Sequence, residues 1–284
     1  MQIARSKAEC GTNKKLNALL LHMLQAVVFD MDGVLYRGSM AIPGVAGEIS
    51  RLKRHVQVLF LTNNATKSRA DYVRHLSEFG IIAHASEVMT SSFGCAHYVR
   101  ENFGRGKKVF VIGEQGLRDE MEIETGAKLV DGWGAKIVVV GLDRQVTYAK
   151  LEAATRNLAA GAAFILANND PTLPKEHGYA PGSGAIASVL TVATGRKPDV
   201  VVGKPSTYLI GKLLEMHHVK ASQAAFVGDR LEIDMRMANK AGMKSVLVLT
   251  GVAKRGDVAK AQKSDKPDIV LSSAAKVGKA LGIY

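Results

Sequence analysis

Apolar residues in this chain gather in short runs, and amphipathic stretches separate them almost from end to end. The first run, Ala26-Val27-Val28-Phe29, is followed by a loop or small flap over 38–44 and a helical pattern over 46–53. A second run, Val56-Gln57-Val58-Leu59-Phe60-Leu61, ends at Thr62-Asn63-Asn64. Ser68 is then placed to cap a helix that runs to about 79 and stops at Gly80. Ser91-Ser92 opens a further helix to about 102. Beyond it, apolar runs at 108–112, 137–140, 163–167, 200–202, 224–227, 245–249 and 269–271 alternate with helical patterns at 116–122, 147–160, 184–194, 206–216 and 234–241. A strand buried on both faces reads as a continuous apolar run. Strands alternating with helices predict a mostly parallel sheet covered on both sides. No repeat at a 20–50 residue period breaks this pattern.

Glycine and proline punctuate the alternation twice, at Gly104 and Gly106 and again over 195–198. The reading is an inserted domain over 104–197, with 24–103 and 198–284 as the flanking pieces of one sheet. The 284 residues suffice for two domains. Residues 1–23 form an N-terminal extension. Its Lys14-Lys15 and the apolar residues after them superficially resemble a signal peptide, but no small-x-small cleavage site precedes the strand at Ala26. A non-targeting extension with a short amphipathic helix is expected, with Met23 as an alternative start. No apolar run reaches the roughly 18–20 residues needed to span a bilayer, so no membrane partner is expected.

Charge and composition narrow the partners. Lysine and arginine exceed aspartate and glutamate by twelve, and the pI is near 9.7. The basic residues are dispersed, with no basic block or aromatic-interleaved stripe, so no specific nucleic acid is expected. An anionic small substrate would still be drawn to such a field. Cys10 and Cys95 provide neither a disulfide framework nor a metal spacing, which fits a reducing, cytoplasmic setting. The adjacent His217 and His218 point in different directions on a helix and make a poor shared metal site.

Candidate chemistry sits at four strand ends. The first strand ends on Asp30, with Asp32 two residues on and Gly33 to permit a turn. Two carboxylates so close call for a cation, a shared proton or a phosphate partner. The second ends at Thr62-Asn63, offering a hydroxyl and backbone N–H groups. The strand at 200–202 ends at Gly203-Lys204-Pro205-Ser206, and a lysine at the start of a helix opposes the helix dipole. The run at 224–227 ends at Gly228-Asp229, with Glu232 and Asp234 close behind. Taken singly, each has a bland reading as a turn, a cap or a surface lysine. Together they set two carboxylate strand ends against two that suit phosphate, where open α/β sheets place their ligands.

These four stretches, Asp30-Met31-Asp32-Gly33, Leu61-Thr62-Asn63-Asn64, Gly203-Lys204-Pro205 and Gly228-Asp229-Arg230-Leu231-Glu232-Ile233-Asp234, resemble in order the four motifs of the haloacid dehalogenase-like (HAD) phosphatases. The long insertion resembles the C2-capped, NagD-like and 4-nitrophenylphosphatase-type branch. So do the phrases Val111-Ile112-Gly113-Glu114, Val140-Gly141-Leu142-Asp143-Arg144, Ala167-Asn168-Asn169-Asp170 and Pro181-Gly182-Ser183-Gly184. Ala167 stands where that branch often has threonine. The resemblance covers about residue 24 to the end.

It implies an α/β fold, a Rossmann-like parallel sheet core with an inserted C2-type cap. It also implies Mg²⁺-dependent hydrolysis of a small phosphorylated metabolite, such as a sugar phosphate, nucleoside monophosphate or phosphoglycolate, through an aspartyl-phosphate. Asp30 would be the nucleophile and Asp32 the acid and base. Thr62, Asn63 and Lys204 would hold the phosphate. Asp30, Asp229, Asp234 and the Asp32 carbonyl would hold the metal. Asp143, Asn169 and Asp170 are cap-side substrate candidates. The resemblance also admits a homo-oligomer. The competing readings are a phosphotransferase with the same intermediate, a non-catalytic anion- or nucleic-acid-binding module and a dehalogenase. Asp32, able to protonate a leaving oxygen, favours phosphate chemistry over the last.

Overall fold

The computed structural model describes residues 24–174 and 178–284. The expected N-terminal extension, its helix and the Met23 start lie outside the described residues. The chain forms two compact units, one from 24–60, 79–81 and 214–284, the other from 61–78 and 82–213.

In the first unit the strands Ile269–Leu271, Lys244–Val248, Ala224–Gly228, Ala26–Phe29 and the start of Gln57–Thr62 lie side by side in that order, all parallel. Ala26–Phe29 is central and wholly buried, as its unbroken apolar run requires. Phe29 pairs with Val227 on one side and Phe60 on the other. Phe29, Phe60 and Phe226 are among the largest fully buried side chains, each contributing about 1.5–3 kcal/mol by leaving water. The helix Val45–Leu52 buries Val45, Ile49 and Leu52 at helical spacing. The expected flap is a small hairpin, Tyr36–Arg37 against Met40–Ala41. Parallel pairing has one consequence for function: the residues that follow Phe29 and Gly228 emerge at the same edge of the sheet.

The second unit has its own parallel sheet, in the order Val200–Val201, Ala163–Leu166, Ile137–Val140, Lys108–Ile112, Lys128–Leu129. Phe110, Val138, Val140, Phe164 and Leu166 of this sheet pack with Leu158 and Leu190 of the helices Tyr148–Ala159 and Ser183–Thr194. The helix Arg69–Glu78 starts as expected. Asp71 Oδ2 accepts the Ser68 N–H (2.9 Å) and hydroxyl (2.7 Å), while Ser68 Oγ accepts the Asp71 N–H (3.2 Å). The next helix, Ser91–Phe103, is capped one residue earlier than its sequence suggests, by Thr90.

Two expectations change. The strand Val200–Val201 does not join the flanking sheet; it pairs with Ile165 and Leu166. The polar stretch 168–184, whose prolines and glycines predict a loop, contains an antiparallel hairpin, Thr172–Pro174 against Tyr179–Pro181. The fold class is α/β, a Rossmann-like parallel sheet core with an inserted α/β cap. Among the described residues no helix is long and apolar enough to cross a membrane.

Candidate active site

Asp30, Asp229 and Asp234 come together in the first unit, one carboxylate oxygen of each lying within 4.8 Å of the others. Asp30 and Asp229 leave neighbouring parallel strands at the same edge. Asp234 is returned to them by a wide helical turn, Leu231–Met235, in which Met235 N–H donates to Arg230 O (3.2 Å). Such turns widen a helix by one residue and recur at functional sites. The helix expected from Asp234 therefore begins after this turn, at Arg236. Asp234 is fully buried, and its Oδ2 accepts the N–H groups of Asp229 and Arg230, both at 3.1 Å.

Asp229 is fixed from a strand end that the sequence reading passed over. Its Oδ2 accepts the Val252 N–H (2.7 Å), and its carbonyl accepts the Ala253 N–H (3.0 Å). Thr250 Oγ1 donates to Gly33 O (2.6 Å), joining this loop to the Asp30–Gly33 turn. Glycine is required on both sides of the carboxylate. A Cβ at Gly251 would stand 1.8 Å from Asp229 Oδ2, and one at Gly33, where φ is +79°, would stand 2.5 Å from it. The signal was present in the sequence: Leu249-Thr250-Gly251 ends an apolar strand in the same style as Thr62 and Gly203.

Three carboxylates this close, with Asp30 at 8% exposure, Asp229 at 2% and Asp234 at 0%, repel one another strongly unless a cation joins them. All the donors are hard oxygens, which suit a divalent ion such as Mg²⁺ or Ca²⁺ rather than a thiolate-preferring metal. The residues present therefore fit the metal that the sequence implies. Asp32 stands outside the trio with its side chain exposed. Its expected share in metal binding was through the backbone carbonyl.

The second unit holds the other candidates. Thr62 is buried, and its Oγ1 accepts the Asn64 N–H (3.2 Å). Asn63 reaches across 141 residues to Lys204: Oδ1 accepts the Lys204 N–H (2.7 Å), and Nδ2 donates to the Lys204 carbonyl (3.1 Å). Lys204 is 3% exposed. Asp170 Oδ2 lies 3.4 Å from Asn63 Nδ2. Asn168, which in the sequence belongs only to the phrase Ala167-Asn168-Asn169-Asp170, is buried and donates from Nδ2 to the Asn63 carbonyl (2.8 Å).

Asn169 is exposed. Asp143 is not among the groups that bond Asn63 and Lys204. It is buried beside a separate cavity of about 560 Å³ lined also by Glu114, Arg118, Arg144 and Lys150. There Asp143 Oδ1 accepts the Gln145 N–H (2.8 Å) and Oδ2 accepts from Lys150 Nζ (2.8 Å). Arg144 forks onto Glu114 at 2.6 and 2.7 Å, which raises its pKa further.

Two family models match the chain. One, described as haloacid dehalogenase-like hydrolase, covers residues 27–126, and a second, HAD-hydrolase-like, covers 201–277. The chain belongs to the HAD-like hydrolase superfamily. An acid sugar phosphatase of Staphylococcus saprophyticus is 37% identical over 258 residues, 90% of this chain and 98% of that protein. A 4-nitrophenylphosphatase from Thermotoga maritima superposes with a TM-score of 0.86 at 32% identity, over 92% of this chain and 99% of that one. A glycerol phosphate phosphatase from Mycobacterium tuberculosis, solved in complex with magnesium, superposes with a TM-score of 0.83 at 31% identity, over 90% and 77%. This HAD-like chain thus has the NagD and 4-nitrophenylphosphatase type of fold, and it is a hydrolase.

Proposed function

We propose that this hydrolase is a Mg²⁺-dependent phosphatase of small phosphomonoesters that works through an aspartyl-phosphate on Asp30. The observation that carries the reading is the trio Asp30, Asp229 and Asp234 at the edge of the central sheet, in a chain whose relatives include phosphatases of sugar and glycerol phosphates.

In the first step an Asp30 carboxylate oxygen attacks phosphorus, the ester P–O bond breaks, and Asp32 gives its proton to the departing alcohol oxygen. In the second step Asp32 takes a proton from water as that water attacks phosphorus. The bond from phosphorus to Asp30 breaks, releasing inorganic phosphate. The exposed side chain of Asp32 suits a group that exchanges protons with both alcohol and water. Thr62 Oγ1, the Asn63 N–H and the Lys204 ammonium are proposed to hold the non-bridging oxygens, whose charge grows in the transition state. Mg²⁺, held by Asp30, Asp229, Asp234 and the Asp32 carbonyl, would supply positive charge that screens the nucleophile from the phosphate.

Residues 104–197 are proposed as the cap, and a cap of that size favours a small ester over a folded phosphoprotein. Asp170 and Asn169 remain cap-side substrate candidates. Asp143, with both oxygens bonded inside the cap, is the weaker of the three.

The test is inorganic phosphate release from sugar phosphates, glycerol phosphates, nucleoside monophosphates and 4-nitrophenyl phosphate, with Mg²⁺ and with EDTA. Asp30→Asn serves as the blank. Release that needs metal and vanishes in the variant supports the reading. Release equal to the blank on every ester overturns it, and transfer of the phosphoryl group to added glycerol would make the enzyme a transferase.

A further inference from the structure

The Asn63 carboxamide does something the phosphate-binding assignment does not use. It bonds both backbone groups of one residue, accepting the Lys204 N–H at 2.7 Å and donating to the Lys204 carbonyl at 3.1 Å. A side-chain amide in this position acts as a strand neighbour would, fixing the peptides on both sides of Lys204. Few side chains can replace it. Aspartate accepts but does not donate, and alanine does neither.

The packing around the pair leaves no slack. A Cβ on Gly203 would lie 2.6 Å from Ala167 O, 2.8 Å from Asn63 Oδ1 and 2.9 Å from Asn168 Cβ. Gly203 N–H donates to Ala167 O (2.8 Å), so the residue that departs from the family's threonine contributes through its backbone. Asn168 Nδ2 holds the Asn63 carbonyl (2.8 Å), and Asn168 Oδ1 accepts the Asp170 N–H (3.2 Å). One chain of amides therefore runs from the 168–170 loop through Asn63 to the backbone of Lys204, and the lysine is 3% exposed at its end.

We propose that Asn63 and Asn168 are positioning residues: their carboxamides set the direction of the Lys204 side chain, and so its hold on a phosphate oxyanion, without the amides themselves touching substrate. This rests on the assignment of Lys204 to phosphate binding given above. A cation misplaced by an ångström in such a site costs about a hundredfold in rate, and a single net hydrogen bond of this kind is worth about fivefold.

The experiment compares Asn63→Ala, Asn168→Ala, Lys204→Ala and the two double variants with the full-length wild type. The readouts are kcat and KM on 4-nitrophenyl phosphate, calorimetric binding of inorganic phosphate with Mg²⁺ present, and the melting temperature. Asn63→Ala is expected to lose about 10- to 100-fold in kcat/KM, and Asn168→Ala about 3- to 10-fold, both weakening phosphate binding. In the Lys204→Ala background either change is expected to move kcat/KM and phosphate affinity by less than about twofold, since effects exerted through one group do not add.

Losses undiminished in the Lys204→Ala background would overturn the proposal, because the amides would then act independently of the lysine. So would near-wild-type Asn63→Ala and Asn168→Ala beside an impaired Lys204→Ala. If Asn63→Ala melts far below the wild type, Asn168→Ala carries the same comparison. A wild type that binds phosphate and hydrolyses no ester would sink the phosphatase reading while the binding cycle still decides the positioning role; a wild type that does not bind phosphate overturns both.

Discussion

Gly251→Ala puts a methyl group where Asp229 already is. The added Cβ would sit 1.8 Å from Asp229 Oδ2, 2.5 Å from Cγ and 2.6 Å from Cβ, against an ordinary contact of at least 3.4 Å. The carboxylate would have to retreat by roughly 1.5 Å, and it has little freedom to do so. Its Oδ2 is tied to the Val252 N–H at 2.7 Å, and its backbone carbonyl to the Ala253 N–H at 3.0 Å. Mg²⁺ tolerates little error around ligand distances of about 2.0–2.1 Å, so a shift of that size would take Asp229 out of reach of the proposed ion or move the loop. Disturbing the groups that orient a metal ligand lowers affinity about 10- to 100-fold, and overpacking adds about 1–3 kcal/mol of destabilisation.

The assay is calorimetric titration with Mg²⁺ and with Mn²⁺, alongside the Mg²⁺ dependence of 4-nitrophenyl phosphate hydrolysis and melting in EDTA. Gly256→Ala is the matched control, because a Cβ there meets nothing within 4 Å in the exposed helix Arg255–Lys260. The control is expected to be neutral or slightly stabilising. Metal affinity of Gly251→Ala equal to that of the control would refute the argument that this glycine exists to seat Asp229.

Three further outcomes follow from other parts of the structure. Asp265→Asn should cost about 1 kcal/mol at neutral pH, a modest figure because its partner Arg236 is 40% exposed and screened by water. The Arg236 hydrogen bonds at 2.8 and 2.6 Å hold the Asp265 carboxyl below its ordinary pKa of 3.8. The wild-type advantage in urea melts should therefore be full above roughly pH 5 and fade as pH falls through the lowered pKa; an advantage that grows in acid would contradict the assignment. Gly116→Ala brings a Cβ within 2.1 Å of the Lys67 carbonyl carbon, a backbone atom that cannot swing aside. It should destabilise by about 1–3 kcal/mol, and an unchanged urea midpoint would count against that packing. Burial pushes the Cys95 thiol far above its usual pKa, so peptide mapping should find Cys95 unalkylated by iodoacetamide until urea is added. Native-state alkylation at the rate of a free thiol would contradict its burial.

Much of this architecture could be read from the chain because its signals are local. An unbroken apolar run such as Ala26-Val27-Val28-Phe29 suits only a strand buried on both faces, and a carboxylate at its end stands out. Pairing partners are not local. Val200-Val201 is apolar enough to extend either parallel sheet, and only the fold shows it beside Ile165 and Leu166. Asn168 was hidden for a similar reason. Its neighbours Asn169 and Asp170 give it the look of a turn residue, while its bond to the Asn63 carbonyl spans 105 residues. Thr250-Gly251 could have been found by applying the strand-end rule once more. The hairpin Thr172–Pro174 with Tyr179–Pro181 was obscured by the prolines and glycines around it, residues that usually mark loops.

The claim at the centre of this account is that phosphoryl groups pass through Asp30. Rapid acid quenching during turnover of 4-nitrophenyl phosphate with Mg²⁺, followed by peptide mass analysis, tests it directly. One added phosphoryl mass on Asp30, with none on any peptide of Asp30→Asn, is the predicted result. An unmodified Asp30 in the wild type, together with phosphate release that persists in Asp30→Asn, would contradict it.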